Sequence, residues 1–140
     1  MRVNFEVEDN YAITFQGRHI DLHNNFDLES FHYNVINKEF ELLWKKTEGD
    51  WISENELKAI SITHKKINFL RIIEADIEMP DNEGNRLMDL TYYPSSLRDE
   101  NDSIVLQCAP ADNDDIKYTF QNGQVIRINC EEIELKIIEK

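Results

Sequence analysis

The chain has 140 residues, the usual size of one domain, and its 28 acidic and 15 basic residues give a net charge of −13. Such a charge repels nucleic-acid phosphate and anionic lipid, so we expect no nucleic acid and no membrane as partner. Any protein partner should be basic. The N-terminal residues alternate and carry acids instead of the apolar stretch of a signal peptide, which predicts a cytoplasmic protein.

The first third of the chain has the period of half-buried strands. Apolar residues alternate with polar ones over residues 3–7 and 11–15, and Ile20 and Leu22 indicate a short third strand after Gly17. Residues 26–46 alternate as a hairpin around residues 34–37, although a helical spacing competes there. The aromatic and β-branched content favours strands.

In the middle of the chain the sequence again allows both a helix and a strand. Residues 53–56 spell a capping box, but residues 59–64 alternate and are β-branched, so we predict one helical turn at most and then a strand that ends near His64. Residues 69–75 are almost continuously apolar, which predicts a central strand covered on both faces. Residues 88–92 and 104–108 are predicted to form two further strands.

The clearest local signal is a hairpin over residues 116–130, with Asn122-Gly123 between two alternating runs. A two-residue loop would place Tyr118 opposite Arg127. A three-residue loop places Tyr118 opposite Ile126 instead, which keeps apolar side chains on one face. We therefore predict the three-residue loop, with Gly123 as the left-handed residue of a G1 bulge.

Together these patterns predict an all-β protein: a single antiparallel β-sandwich over residues 1–140, with nine to eleven short strands and little helix. A sandwich is favoured over a barrel because four glycines leave few positions for the kinks that close a barrel.

Acidic residues concentrate in the second half of the chain. Residues 74–115 hold twelve acids against Arg86 and Arg98, and they form loop-like clusters. We predict that these clusters steer a basic partner, and solubility alone is the alternative. None of the clusters has the spacing of a calcium-binding EF-hand loop. The predicted steering residues are Asp99, Glu100, Asp102, Asp112, Asp114 and Asp115.

Two aromatic residues are predicted to provide apolar contact with the partner. Trp51 lies in a polar loop without an obvious strand partner, and Tyr93 points away from Tyr92 on the predicted strand.

Histidine and cysteine residues offer weaker signals. His19 and His23 are four residues apart and are the best metal candidates, although surface histidines are the commoner reading. Cys108 and Cys130 are expected to be buried free thiols. The sequence holds no catalytic motif, so we expect a non-enzymatic protein without a cofactor.

The residues Asp21-Leu22-His23-Asn24, the Phe40–Trp44 alternation and the closing Tyr118–Gly123 hairpin resemble small bacterial all-β proteins. Some of these are grouped with immunity proteins of polymorphic-toxin systems. The resemblance implies a cytoplasmic inhibitor that blocks a toxin by surface complementarity, and it transfers no site residues.

The function predicted from the sequence is an acidic protein-binding module, of which an immunity-type inhibitor is one form. The alternative is a β-sandwich that binds a small ligand or a metal. A homodimer through an unpaired sheet edge is a further possibility.

Overall fold

The computed structural model describes residues 1–75, 85–98 and 107–139, and within them the chain is built from three mainly antiparallel β-sheets. The strands are β1 (Arg2–Val3), β2 (Glu6–Glu8), β3 (Ala12–Phe15), β4 (Arg18–Ile20), β5 (Phe26–Asn34), β6 (Glu39–Lys46), β7 (Ala59–Lys65), β8 (Phe69–Ile73), β9 (Leu87–Pro94), β10 (Asp114–Phe120), β11 (Val125–Asn129) and β12 (Glu132–Glu139). One short helix, α1 (Leu22–Asn25), and a 3-10 turn at Ser95–Leu97 complete the described elements. The all-β prediction is confirmed, and the described residues already hold one strand more than the upper predicted number.

The five-stranded sheet has the order β1-β12-β7-β6-β5, and the four-stranded sheet has the order β8-β11-β10-β9. Strands β2, β3 and β4 form a smaller meander. Neighbouring strands are antiparallel except β1 and β12, which are parallel. None of the described helices is long and apolar enough to span a membrane.

The first predicted strand is split in two at Asn4, whose N–H still donates to the Ile133 carbonyl at 3.4 Å and whose side chain then bonds to β12. Its side-chain amide donates to the Leu135 carbonyl at 3.1 Å and accepts from the Leu135 N–H at 2.8 Å. The side chain therefore continues the β1–β12 ladder while the main chain turns away into β2.

The predicted strand at residues 20–22 ends at Ile20, because a helical turn begins at Leu22. Asp21 is the N-cap of this turn, and its carboxylate accepts a hydrogen bond from the Asn24 N–H at 2.9 Å.

The C-terminal hairpin has the predicted register. Tyr118 lies opposite Ile126 and Ile116 lies opposite Ile128. The Gly123 N–H donates to the Phe120 carbonyl at 3.0 Å, and Gly123 has a φ of +89°. The three-residue loop is confirmed, and with it the inward orientation of Tyr118, which is fully buried.

The two ambiguous stretches also form strands. Residues 26–46 are the β5–β6 hairpin, and residues 59–65 are β7. The prediction for residues 69–75 is wrong in its position: β8 ends the order of the four-stranded sheet, and its residues are half-buried or exposed. The predicted strand at 104–108 lies outside the described residues except for Gln107 and Cys108, which are not in a strand.

The core lies between the two larger sheets and is rich in aromatic side chains. Trp44 of β6 stacks on Phe120 of β10 with ring centroids 5.9 Å apart. Tyr118 lies edge-on to His64 of β7, with ring centroids 5.6 Å apart. Side chains of all three sheets belong to one connected cluster, consistent with a sandwich-like arrangement.

His64 is a core residue, and not merely the end of its strand as predicted. Its Nδ1 lies 2.8 Å from the Phe40 carbonyl, and its Nε2 lies 2.8 Å from the Tyr118 hydroxyl. Because a carbonyl can only accept, Nδ1 carries the proton and Nε2 accepts from the Tyr118 O–H. Burial lowers the pKa of His64 to about 4, although the bond to Phe40 acts to raise it.

This histidine makes stability depend on pH. Between pH 6.5 and about 4 the unfolded chain binds a proton at His64 while the folded chain does not. We therefore expect His64 to remove about 3 kcal/mol from the free energy of unfolding as the pH falls through this window. Urea unfolding at pH 7.5 and 4.5 measures the loss in the wild type and in His64→Gln, which should lose less.

His32 is exposed on β5 and provides a matched control. We expect His32→Gln to show the same loss between the two pH values as the wild type. An equal loss in His64→Gln and the wild type would contradict the assignment.

Candidate functional site

The two aromatic residues predicted to contact a partner, Trp51 and Tyr93, differ in exposure. Trp51 is 61% exposed, but its ring lies against Gly49 and its Nε1–H donates to the Asn24 carbonyl at 3.1 Å. Tyr93 is buried, so the prediction of an exposed anchor is wrong. Its ring lies 5.2 Å from the guanidinium carbon of Arg127.

Two of the predicted steering acids are buried as well. Asp114 accepts a hydrogen bond from the Ala111 N–H at 2.8 Å and so holds the turn before β10. Asp115 is fully buried and belongs to the strand itself. Asp112 is exposed. Asp99, Glu100 and Asp102 lie outside the described residues.

Asp115 is the centre of a charged cluster on the outer face of the four-stranded sheet. Its carboxylate accepts from Arg98 at 2.7 and 2.8 Å, from Arg127 at 2.7 Å and from Asn129 at 2.9 Å. Arg98 also lies over the ring of Phe69, at 3.6 Å from its centroid. The prediction of a solvated loop acid is therefore wrong for Asp115, which stabilises the sheet.

The pKa of Asp115 reflects this cluster. Burial acts to raise it, but the hydrogen bonds from Arg98, Arg127 and Asn129 prevail and lower it below its ordinary value of 3.8. Its stabilising contribution is therefore present above the unfolded pKa and is lost as the pH falls through the lower folded pKa.

The two predicted metal ligands have separate partners. His19 on β4 lies 2.9 Å from the Glu8 carboxylate, and His23 in α1 contacts the Leu87 carbonyl through its Nδ1. The described ranges 1–75, 85–98 and 107–139 contain no group of three or more histidine, cysteine, aspartate or glutamate residues placed to hold a metal.

The two cysteines differ in exposure. Cys130 is buried as expected, and burial raises the pKa of its thiol to about 12. Cys108 is exposed, so the expectation of a second buried thiol is wrong.

An exposed apolar surface lies at the turn of the β5–β6 hairpin. Ile36 is 92% exposed, Val35 is 62% exposed and Phe31 is 41% exposed, whereas Tyr33 is half-buried between them. Phe31 and Tyr33 are at alternate positions of β5 and lie roughly 7 Å apart along it, and Val35 and Ile36 follow in the turn. We call these four residues the hairpin-tip surface.

This surface is held in place by ordered contacts. Asn34 accepts from the N–H groups of Ile36 at 3.1 Å and Asn37 at 3.0 Å, which fixes the turn. Phe31 stacks on the buried Phe40 with ring centroids 5.3 Å apart. The apolar side chains are thus presented by a preorganised turn, which lowers the entropy lost on binding.

The composition of the turn at residues 34–37 could have predicted this exposed surface from the sequence. Residues 34–37 read Asn-Val-Ile-Asn, and the two central positions of a turn normally carry Gly, Asn, Asp or Ser. Two β-branched apolar residues there have no strand neighbour to cover them.

The cleft beside β12 offers less for recognition than the hairpin tip. This cleft of 420 Å³ has Phe15 and Leu135 among its lining residues. Two charged groups in its wall, Glu134 and Lys136, are already ion-paired with each other at 3.2 Å.

No family model, curated protein or solved structure matches the chain. Its function must therefore be argued from its own surfaces.

We expect Asp115→Asn to lower the free energy of unfolding by about 3 kcal/mol, because it takes the buried carboxylate away from Arg127. Urea unfolding at pH 7 measures this. The matched control is Asp112→Asn at the exposed loop position, which should stay within about 0.5 kcal/mol of the wild type. Equal effects of the two substitutions would contradict a structural role for Asp115.

Gly49→Ala should displace the Trp51 indole, because a Cβ at position 49 would overlap the ring. Acrylamide quenching of tryptophan fluorescence should increase, since Trp44 is buried and Trp51 is the accessible indole. The variant Trp51→Phe leaves only the Trp44 signal, so its difference from the wild type gives the contribution of Trp51. Unchanged quenching in Gly49→Ala would show that the ring does not rest on this glycine in solution.

Proposed function

We propose that this chain is a non-enzymatic protein-binding module, and that its hairpin-tip surface contacts a cationic partner protein. The observation that carries the proposal is the exposure of Val35 and Ile36 in a turn that Asn34 holds rigid. Single exposed apolar residues are common, but a contiguous apolar surface on an ordered element is typical of interaction sites.

Charge supports a cationic partner. The whole chain carries −13, and such a field accelerates the approach of a positively charged protein. Two copies of this chain repel each other at long range for the same reason. A second copy is therefore a less favourable occupant of the surface than a basic protein.

The hairpin itself is nearly neutral, which suits apolar contact. Residues 26–46 hold four acids and three lysines, and one of each is paired where Lys45 meets Glu29 at 3.1 Å. The partner can therefore be steered by the field of the whole protein and still dock against a surface of little net charge.

An immunity-type inhibitor is the specific form of this function that the sequence resemblance implies. In that form the cationic partner is a toxin, and the hairpin-tip surface is part of the area that blocks it. A toxin gene next to the gene for this chain would support this form.

The proposal predicts that Val35→Ser combined with Ile36→Ser removes partner binding and leaves the fold intact, because both side chains point into solvent. Immobilised wild type and variant are exposed to native lysate at low salt, and the isoelectric points of retained proteins are compared. We expect proteins of high isoelectric point on the wild type and a loss of about tenfold or more on the variant.

Ile138→Ser is the matched control, since Ile138 is an exposed isoleucine on β12, at a distant strand of the same sheet. It should retain what the wild type retains. Equal retention on the wild type and the Val35/Ile36 variant, or retention of acidic proteins alone, would overturn the proposal.

A further inference from the structure

We propose that the partner binds by adding an extended segment to the edge of β5, as a sixth strand of the five-stranded sheet. This inference rests on the proposed function and specifies how the hairpin-tip surface is used. The occupant is a short stretch of a cationic protein in which apolar residues alternate with lysine, arginine or other polar residues.

The hydrogen bonds of β6 show which way its backbone groups point. The Lys46 N–H donates to the Lys58 carbonyl on the β7 side, and the Thr47 N–H donates to the Asn25 carbonyl on the β5 side. Backbone direction alternates along a strand, and the β6–β7 register is continuous. Even-numbered residues of β6 therefore bond to β7, and odd-numbered residues bond to β5.

The same alternation identifies the free groups of β5. His32 lies opposite Glu41, an odd-numbered residue, so His32 directs its N–H and carbonyl towards β6. Phe31 and Tyr33 must then direct theirs away from the sheet. Among the described residues, β5 pairs only with β6. These two residues thus offer two donors and two acceptors to an added strand.

The opposite edge of the same sheet is covered only at its beginning, where β1 pairs with Glu132 and Ile133. Asn4 then satisfies both backbone groups of Leu135. At β5 the edge is also closed near its beginning, where the Leu28 N–H donates to the Asn85 carbonyl at 2.9 Å. The open part is therefore limited to residues 29–34, next to the hairpin-tip surface.

The small size of the apolar surface favours strand addition over side-chain docking alone. A specific interface covers about 800 Å² on each partner, more than four partly exposed side chains provide. Main-chain bonds to Phe31 and Tyr33 add affinity without further apolar area, and side chains at alternate positions of the added strand reach the hairpin-tip surface.

The test uses a defined probe, an acetylated nine-residue peptide that alternates lysine and valine. Its control has the same side chains and charges, but its five central amides are N-methylated. We expect the unmethylated peptide to bind about tenfold more tightly, because methylation removes donors and blocks edge pairing.

A matched pair of variants tests the same contact from the protein side. Phe31→Ala removes the ring and keeps the N–H, whereas Phe31→Pro removes both. Because the Phe31 N–H points away from β6, proline there breaks no bond within the sheet, and edge strands tolerate proline. We expect Phe31→Pro to bind the peptide about tenfold more weakly than Phe31→Ala.

Amide hydrogen exchange of the wild type keeps the test valid even if Phe31→Pro does not fold. Adding the peptide should slow exchange at Phe31 and Tyr33, and it should change His32 little because that amide already bonds to β6.

Equal binding of both peptides, or unchanged exchange at Phe31 and Tyr33, would overturn strand addition. So would a dimer seen by sedimentation that Phe31→Pro abolishes, because β5 would then accept a second copy. None of these results decides the proposed function, which is judged by retention of cationic proteins on the Val35/Ile36 variant.

Discussion

The hydrogen bond between His64 and the Tyr118 hydroxyl joins the two larger sheets at the centre of the core. Both groups are fully buried, so the bond forms where water cannot replace it and an unpaired partner would be costly. The bond also requires that Tyr118 point inward, which holds only because the C-terminal hairpin has a three-residue loop. The loop conformation at Gly123 therefore determines whether the contact between Tyr118 and His64, on strands of different sheets, can form.

The two edges of the five-stranded sheet differ in how much of their backbone is covered. One edge is covered at its beginning by the parallel strand β1 and by the Asn4 side chain, which bonds to both backbone groups of Leu135. The other ends in a hairpin whose turn displays apolar residues. Charge is distributed in the same uneven way, because the hairpin is nearly neutral on a strongly acidic chain. The same edge therefore combines free backbone groups, apolar side chains and little net charge.

Sequence patterns predicted the fold well where a single period dominated. The hairpin at residues 116–128 and the strands at 26–46 follow from alternation and from turn chemistry. The orientation of Tyr93 and Asp115 could not be read in this way. Alternation placed Tyr93 on the outer face of its strand, and Asp115 was assigned to an acidic loop. Burial of both residues depends on arginines that come from β11 and from the segment after β9. Such coverage is a tertiary property.

The candidate site was missed for a related reason. The sequence patterns indicated function in aromatic residues of loops and in acidic clusters. The exposed residues are instead the β-branched Val35 and Ile36 of a turn. The sequence patterns treat such a turn only as a connection between strands. Trp51 is on the surface, but its indole is bonded to Asn24 and lies against Gly49. Exposure alone did not distinguish an anchored ring from a displayed side chain.

The bulge near the start of β5 bears on how far sheet growth can proceed. The register of β5 and β6 shifts between Leu28 and Ser30, with Glu29 as the extra residue. Beyond this point an incoming chain loses its alignment, so the continuous template is residues 30–34, which is shorter than the roughly six or seven residues typical of fibril-forming segments. The bulge therefore limits how far edge-to-edge pairing of strands can extend along β5.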